Sequence, residues 1–190
     1  MTASATTEER NKALVRRFID EVANAHRMDL LAELCTSDHY LYHPAIPAPA
    51  HGTSEYVRVM GPIWQAWPDH HLEIEEIIAE GDRVGIRAIV TATNTGPMRG
   101  AKPTNKSTRS HVITTYRIRD GKISSTRVIE DIMKMLHDVG QVPRNLTALY
   151  WLKKLGVVRL LQKLGKIPGA ESLDEFQRAE ADARPSRKED

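Results

Sequence analysis

Two turn signals in the middle of the chain constrain its fold more than any other feature. Between His71 and Gly140, the tetrapeptides EGDR and RDGK each separate two runs rich in β-branched residues. Gly-Asp and Asp-Gly pairs between such runs are strong signals for β-hairpins. The stretch therefore predicts two antiparallel strand pairs. Asp131 follows the last predicted strand and precedes an apolar pattern typical of a helix.

Hydrophobic alternation gives the approximate extent of these strands. The first pair flanks Gly81-Asp82, and its apolar residues are Leu72, Ile74, Ile77, Val84, Ile86 and Ile89. A connection rich in Gly and Pro, from Thr95 to Thr104, leads to the second pair, Ser110 to Ile118 and Ile123 to Ile129. Alternation separates His111 from Val112, Thr114, Tyr116 and Ile118, because successive strand residues point to opposite faces. Which of the two faces is inward stays open.

Helical patterns come before the strands. Apolar residues recur at helical spacing from a start at Thr7, namely Leu14, Val15, Phe18, Ile19 and Val22. A second, short helix is predicted around Leu30, Leu31 and Leu34, beside a buried Cys35. A third is predicted from about Ser54 to Trp67, with one face formed by Val57, Met60, Ile63 and Trp64. Helices followed by an antiparallel sheet indicate an α+β fold.

Composition excludes several function classes. The 190 residues are 41% hydrophobic and 27% charged, which fits a globular domain with a tail. A formal charge of +2, without a basic run interleaved with aromatics, argues against nucleic-acid binding. The single cysteine cannot form an internal disulfide. Because no apolar signal segment follows Met1 and no run reaches membrane-spanning length, we expect a cytoplasmic protein.

Several short segments in order resemble one known family. They are NKALVRRFIDEV, the strand-end His43, GTSEYVRVM, the WPD of Trp67 to Asp69, EGDRV, TGPMRG-A-KPT, YRIRDGKI and Asp131. Together they resemble the SnoaL-like polyketide or ester cyclases of the nuclear-transport-factor-2-like group, over roughly Asn11 to Pro143. The resemblance implies a cone-shaped, curved antiparallel sheet packed on N-terminal helices, with an apolar cavity, over residues 1–143.

The resemblance also implies a set of catalytic residues. Asp131 matches the acid that performs cofactor-free acid/base chemistry in this family, where burial would raise its pKa. The alternative for Asp131 is the N-cap of a helix from Ile132 to Asp138. His43 matches a histidine or asparagine at the mouth of many of the family's pockets, which orients a carbonyl or relays a proton. The alternative for His43 is a surface histidine that ends a strand. His111 is the third candidate.

The predicted substrate-binding residues are Asn94, Tyr116, Thr114, Trp64 and Arg127. Asn94 lies in a segment, Thr93 to Thr95, where the family often has a histidine, and it can donate a hydrogen bond but cannot shuttle a proton near neutral pH. Ser125-Thr126-Arg127 replaces a Glu-His-Trp run that is common in the family. For Tyr116 and Trp64, packing in the core is the alternative.

The chemistry implied by the resemblance needs neither metal nor cofactor. The histidines His39, His43, His51, His70 and His71 show no recognised metal-ligand spacing, so no metal site is predicted. The implied function is an aldol-type cyclase of secondary metabolism that acts on a polyketide-like polycarbonyl molecule. The alternatives are an isomerase, dehydratase or epoxide hydrolase on the same fold, or a non-catalytic protein that binds a small molecule.

The resemblance stops at Pro143, and a different pattern follows. Residues 144–180 predict a helical extension, with an apolar stripe that contains Leu149, Leu160 and Leu164. It can form a lid, a dimer contact or an interfacial basic helix on a membrane. Packing on the same chain or on a twin subunit is favoured over membrane contact, so a homodimer is expected. Residues 181–190 predict a disordered tail.

Overall fold

The computed structural model describes residues 6–97, 101–142 and 156. The predictions made for 144–180 and 181–190 therefore lie outside the described residues, Gly156 excepted. Within the described residues the helices are α1 (Thr7–Arg17), which continues as a π-helical segment (Phe18–Asn24), a 3₁₀ turn (Met28–Leu30), α2 (Leu31–Leu34), α3 (Gly52–Ala66) and α4 (Ile132–Asp138). The strands are β1 (Cys35–Tyr42), β2 (Ala50–His51), β3 (His71–Glu80), β4 (Arg83–Thr93), β5 (Ser107–Arg119) and β6 (Lys122–Glu130).

The described strands form one curved sheet in the order β2-β1-β6-β5-β4-β3. Neighbouring strands are antiparallel except β1 and β6, which run parallel. The two predicted hairpins, β3–β4 and β5–β6, are confirmed. In the second, Asp120 and Gly121 have φ of 53° and 73°. Left-handed backbone at both turn residues is what a two-residue hairpin needs, which explains the Asp-Gly pair.

The first helix begins where the sequence predicts. Thr6 is the N-cap, and its hydroxyl accepts a hydrogen bond from the Glu9 amide at 3.2 Å. Ser and Thr are favoured at this position because they satisfy an amide that has no partner inside the helix. The predicted apolar face is buried, including Val15, Phe18 and Ile19. Cys35 is also buried, as predicted.

The buried face of helix α3 differs from the prediction at one residue. The helix is continuous through Gly61-Pro62, and the side chains that it buries include Tyr56, Met60 and Trp64. Val57 was predicted on this face but is 39% exposed. The reason is that residues four apart share one side of a helix, and Tyr56 rather than Val57 is in phase with Met60 and Trp64.

The core lies between the helices and the inner face of the sheet. Side chains of α1, its π-helical continuation and α3 pack against alternate residues of β4, β5 and β6. On β5 the buried residues are Thr108, Ser110, Val112, Thr114, Tyr116 and Ile118. Alternation left open which face of β5 is inward. The inward face is the one that contains Val112 and Thr114, and His111 points outward. The α+β fold with a curved sheet on N-terminal helices is confirmed.

Two features of the sheet were not predicted. The strand that ends before His43 begins as early as Cys35, and it pairs with the distant strand β6. Within the proline-rich segment Pro44 to Gly52, Ala50–His51 forms a short edge strand on β1. Both pairings depend on partners far along the chain, which local sequence patterns do not reveal.

Candidate active site

Polar side chains line the inner face of the sheet in register. Tyr116 lies opposite Thr126, Thr114 opposite Val128, and Val112 opposite Glu130 on the paired strands β5 and β6. On the other side of β6, Leu41 of β1 lies opposite Thr126. Because inward positions alternate, Thr126, Val128 and Glu130 form a row that runs toward the end of β6. The row ends next to Asp131, where the chain turns into α4.

Glu130 places a carboxyl on the inner face at this end of the sheet. It is partly buried, and its Oε1 accepts a hydrogen bond from the Ser110 hydroxyl at 3.3 Å. Burial raises the pKa of Glu130, and the charge of neighbouring Asp131 raises it further, while the Ser110 bond acts in the opposite direction. Within the described residues, no cation forms an ion pair with Glu130. Burial of this kind disfavours the charged form of a carboxyl relative to its form in water.

Asp131 has a different environment, although it is the next residue. It is exposed, and its Oδ1 accepts a hydrogen bond from the Lys134 amide at 2.9 Å. It is the N-cap of α4, which spans the residues predicted for that alternative, Ile132–Asp138. The N-cap role is therefore confirmed. The poorly hydrated setting that the resemblance implied for Asp131 belongs instead to Glu130, because the strand alternation and the helix start turn the two side chains in different directions.

His43 stands just beyond the end of β1, on the same inner side. Tyr42, the last residue of β1, lies opposite Arg127, and His43 follows directly after it. Its Nδ1 accepts a hydrogen bond from the Ala45 amide at 3.1 Å. Burial lowers the pKa of His43 to about 4, and neighbouring His70 lowers it too. The ring is thus neutral near pH 7, with its proton on Nε2, and Nε2–H is a donor.

Two further histidines extend this group. Burial lowers the pKa of His70 to about 4, with a smaller contribution from the charge of His26. The ring of His26 stacks on Trp64, with centroids 4.8 Å apart and planes 11° from parallel. Trp64 is thus buried within the core and also forms one wall of this histidine group. From the sequence, His70 was a candidate only for metal binding, and neither His26 nor Glu130 was predicted as a site residue.

Deeper in the molecule lies a second polar group. Tyr116 is buried with its ring edge-on to Phe18 at 6.1 Å, and burial raises the pKa of its hydroxyl. A hydrogen bond with Thr114 acts in the opposite direction. His39 Nε2 lies 2.9 Å from the Thr126 hydroxyl, and within the described residues its Nδ1 has no hydrogen-bond partner. Tyr116 and Thr114 thus point inward, as a substrate-binding role requires.

Asn94 is a structural residue in this arrangement. It is 0% exposed, and its Nδ2 donates to the Gly96 carbonyl at 2.9 Å and to the Ala66 carbonyl at 3.4 Å. Its Oδ1 accepts from the Thr104 amide at 3.1 Å and from the Thr104 hydroxyl at 3.3 Å. A Cβ at Gly96 would lie 2.1 Å from the Gln65 carbonyl oxygen, so only glycine lets this loop approach the end of α3. Asn94 therefore has little hydrogen-bonding capacity left for a substrate.

Two predicted site residues lie on the outer face of the sheet. His111 is exposed, with Nδ1 3.9 Å from a Glu75 oxygen. Arg127 is exposed, and its guanidinium carbon lies 4.8 Å from the centre of the Tyr40 ring. Arg127 borders an open trough of about 900 Å³ on this face, together with Tyr40, Ile78, Gly85, Thr115 and Arg117. Tyr116 also contributes to the lining of the trough, but the side chains of His111 and Arg127 lie on the face of the sheet opposite the inward row of Thr126, Val128 and Glu130.

Across residues 6–97 and 101–142, no three His, Cys, Asp or Glu side chains are grouped as metal ligands would be. In the same part of the chain, no helix has the length and apolar character needed to cross a bilayer.

Solved structures of similar fold are numerous. A candidate SnoaL-like polyketide cyclase from Jannaschia sp. CCS1 is 20% identical, with a TM-score of 0.66, and the match covers 75% of this chain and 100% of that one. AclR from Streptomyces galilaeus, described as a candidate hydroxylase, is 26% identical, with a TM-score of 0.63 and coverage of 72% and 100%. IdmH from Streptomyces antibioticus, a candidate polyketide cyclase, is 22% identical, with a TM-score of 0.61 and coverage of 68% and 98%.

The sequence itself identifies the family. No curated protein gave a significant match. The family model described as SnoaL-like polyketide cyclase matches residues 13–139, which is more than half of the chain. This match agrees with the fold, which has the nuclear-transport-factor-2-like architecture of the similar structures. The chain therefore belongs to the SnoaL-like polyketide cyclase family.

Proposed function

We propose that the protein is a cofactor-independent cyclase that closes a ring in a polyketide-like polycarbonyl molecule by acid/base catalysis. The observation that carries the proposal is the position of Asp131. It stands at the open end of a row of inward hydrogen-bonding residues, on a chain of the SnoaL-like cyclase family. Substrate carbonyls delocalise the charge of an enolate, so such a reaction needs a positioned base, hydrogen-bond donors and an acid.

Asp131 acts as the base in this proposal. Its carboxylate removes a proton from a carbon flanked by two carbonyls, and the resulting enolate attacks another carbonyl of the same molecule to form the new carbon–carbon bond. The N-cap bond engages Oδ1. Within the described residues Oδ2 makes no hydrogen bond, which leaves that oxygen to accept the proton.

His43 supplies a hydrogen bond to the enolate oxygen. A neutral imidazole that accepts from Ala45 through Nδ1 presents Nε2–H as a donor. The pKa of about 4 makes proton transfer by His43 itself unfavourable at neutral pH, so orientation of a carbonyl fits better than proton relay. Thr114 and Tyr116 supply polar contacts deeper on the same face.

The test compares ring closure by the wild type and by Asp131→Asn. The probe is the methyl ester of a linear tetraketide, with the cyclised product measured by mass spectrometry. Asn is also a good N-cap, so the substitution removes the charge while retaining the helix start. We expect kcat to fall roughly 10²–10⁴-fold, the usual contribution of one acid/base group. Equal turnover by both proteins would remove Asp131 from the mechanism.

The exposure of Asp131 favours a second candidate, a protein that binds such a molecule without transforming it. An exposed carboxylate lacks the poorly hydrated setting that strengthens a base. Isothermal calorimetry with the same ester separates the two functions. A binding protein would retain the ester intact with equal affinity in the wild type and Asp131→Asn. A cyclase would release product from the wild type.

The proposal includes a homodimer in the cytoplasm. On the outer face of the sheet, Ile78, Ile113 and Ile129 are 65%, 50% and 68% exposed. Apolar side chains grouped on one face are often covered by a partner. A second copy of this chain is the occupant we propose. Sedimentation velocity should show a dimer for the wild type and a monomer for Ile129→Lys. A monomeric wild type would remove the dimer from the proposal.

A further inference from the structure

Ring closure by an aldol step leaves a negative charge that the base cannot neutralise at once. The attacked carbonyl becomes an alkoxide, and the base has just taken a proton on another side of the substrate. A second group that already holds a proton, and that lies on the substrate side of the sheet, can neutralise the alkoxide where it forms. Asp131 holds the abstracted proton at this stage, but it lies beside the carbon that it has deprotonated.

Glu130 has the position that this second group requires. Its strand partner is Val112, which is buried, and the preceding residue Ile129, on the outer face, is exposed. The side chain thus points to the inner face, in the row that contains Thr126 and Val128. The Ser110 hydroxyl, itself 1% exposed, donates to Oε1 at 3.3 Å. His43 follows Tyr42, the last residue of β1 that pairs with β6.

We propose that Glu130 is a second catalytic carboxyl, the general acid that gives its proton to the alkoxide formed by ring closure. This inference rests on the proposed function. It assigns different roles to two successive residues, with exposed Asp131 as base and inward Glu130 as acid. Carboxyls whose environments differ in this way are the usual sign of such a division.

The surroundings of Glu130 fit a proton donor. Burial and the charge of Asp131 both raise its pKa, so the proton is retained closer to neutral pH than on an ordinary glutamate. Within the described residues, neither a salt bridge nor a backbone amide stabilises its charged form. The single bond from Ser110 holds one oxygen and leaves the other to carry the proton toward the substrate.

The proton balance closes over one turnover. Asp131 takes one proton from carbon, a carbon–carbon bond forms, and Glu130 gives one proton to oxygen. The substrate is converted to an isomer with no net gain or loss of protons. Asp131 then releases its proton to water at the exposed end of β6, and Glu130 takes one from water. No oxidant, reductant or metal enters the sequence.

The experiment separates proton abstraction from ring closure with two readouts on the same tetraketide methyl ester. Deuterium uptake from D₂O by NMR, with the uncatalysed rate subtracted, reports the base. Cyclised product by mass spectrometry reports the whole reaction. Glu130→Gln retains the size and the acceptor for Ser110 but has no proton to give. Glu130→Asp retains an acid. Circular dichroism and thermal unfolding verify that both variants are folded.

With Glu130→Gln, we expect the ester to take up deuterium at the wild-type rate, while the rate of ring closure falls roughly 10²–10⁴-fold. Glu130→Asp should restore part of the rate of ring closure. Asp131→Asn should lose both readouts. Wild-type ring closure by Glu130→Gln would overturn the acid role and leave the proposed function intact. Loss of deuterium uptake in Glu130→Gln would also overturn it, since it would place Glu130 in the base step. If the wild type neither exchanges nor cyclises, the proposed function itself fails, and the acid role with it.

Discussion

Replacing Asn94 by alanine should destabilise the fold by about 3 kcal/mol without altering substrate binding. The side chain is 0% exposed and makes four hydrogen bonds, at 2.9, 3.1, 3.3 and 3.4 Å. The two shorter bonds contribute about 1 kcal/mol each, and the longer two contribute less. Truncation also leaves the Thr104 amide and the Gly96 carbonyl without a partner, which adds a penalty of about 1 kcal/mol or more.

The assay is urea unfolding, with thermal unfolding as a second measurement. A loss of about 3 kcal/mol in a domain of this size lowers Tm by roughly 6–12 °C. Gln65→Ala is the matched control, because Gln65 is exposed in the same region and should change stability by less than about 0.5 kcal/mol. Below the transition, KM of Asn94→Ala should equal that of the wild type. A stability loss no larger than that of Gln65→Ala, or a raised KM in the folded protein, would refute the reasoning.

Three further predictions follow from the described contacts. Asp131→Ala should lose about 1 kcal/mol of stability, while Asp131→Asn should lose much less, because Asn also accepts a hydrogen bond from the Lys134 amide. Equal losses of the two variants in urea unfolding would contradict the N-cap role. His39 is buried, and burial lowers its pKa from 6.5 to about 4, so the unfolded state binds the proton first as the pH falls. Its contribution to the free energy of unfolding is therefore complete above about pH 6.5 and is lost as the pH drops to about 4. His39→Gln should make the free energy of unfolding depend less on pH across that window. An unchanged pH dependence would show that His39 titrates normally in the folded state. His111→Ala should retain wild-type kcat and KM because His111 points outward, and a large loss of activity would require this face to contribute to the site.

The fold was largely predictable because its signals are local. The turn at Asp120-Gly121 requires left-handed backbone at both residues, and few other pairs adopt it. Thr6, Glu8 and Glu9 likewise determine a helix start through contacts within one turn. The parallel pairing of β1 with β6 joins Tyr40 to Ser125 across the chain, and no local pattern encodes it.

The site was predictable only in part, because residue type does not reveal direction. Asp131 was identified from the family resemblance, yet its environment depends on the step from β6 to α4. Glu130 was not named, although its alternation with Val128 places it on the inward face once that face is known. For Asn94, the deciding feature is the approach of the Gly96 loop to α3, which is a tertiary contact.

The account depends most on Asp131 as the base. Its most direct test is the rate at which the acidic C–H of the tetraketide methyl ester takes up deuterium in D₂O, measured by NMR for the wild type and Asp131→Asn at equal folded concentration. The account predicts enzyme-dependent uptake by the wild type and a rate close to the uncatalysed one for Asp131→Asn. Uptake at the same enhanced rate by both proteins would contradict it.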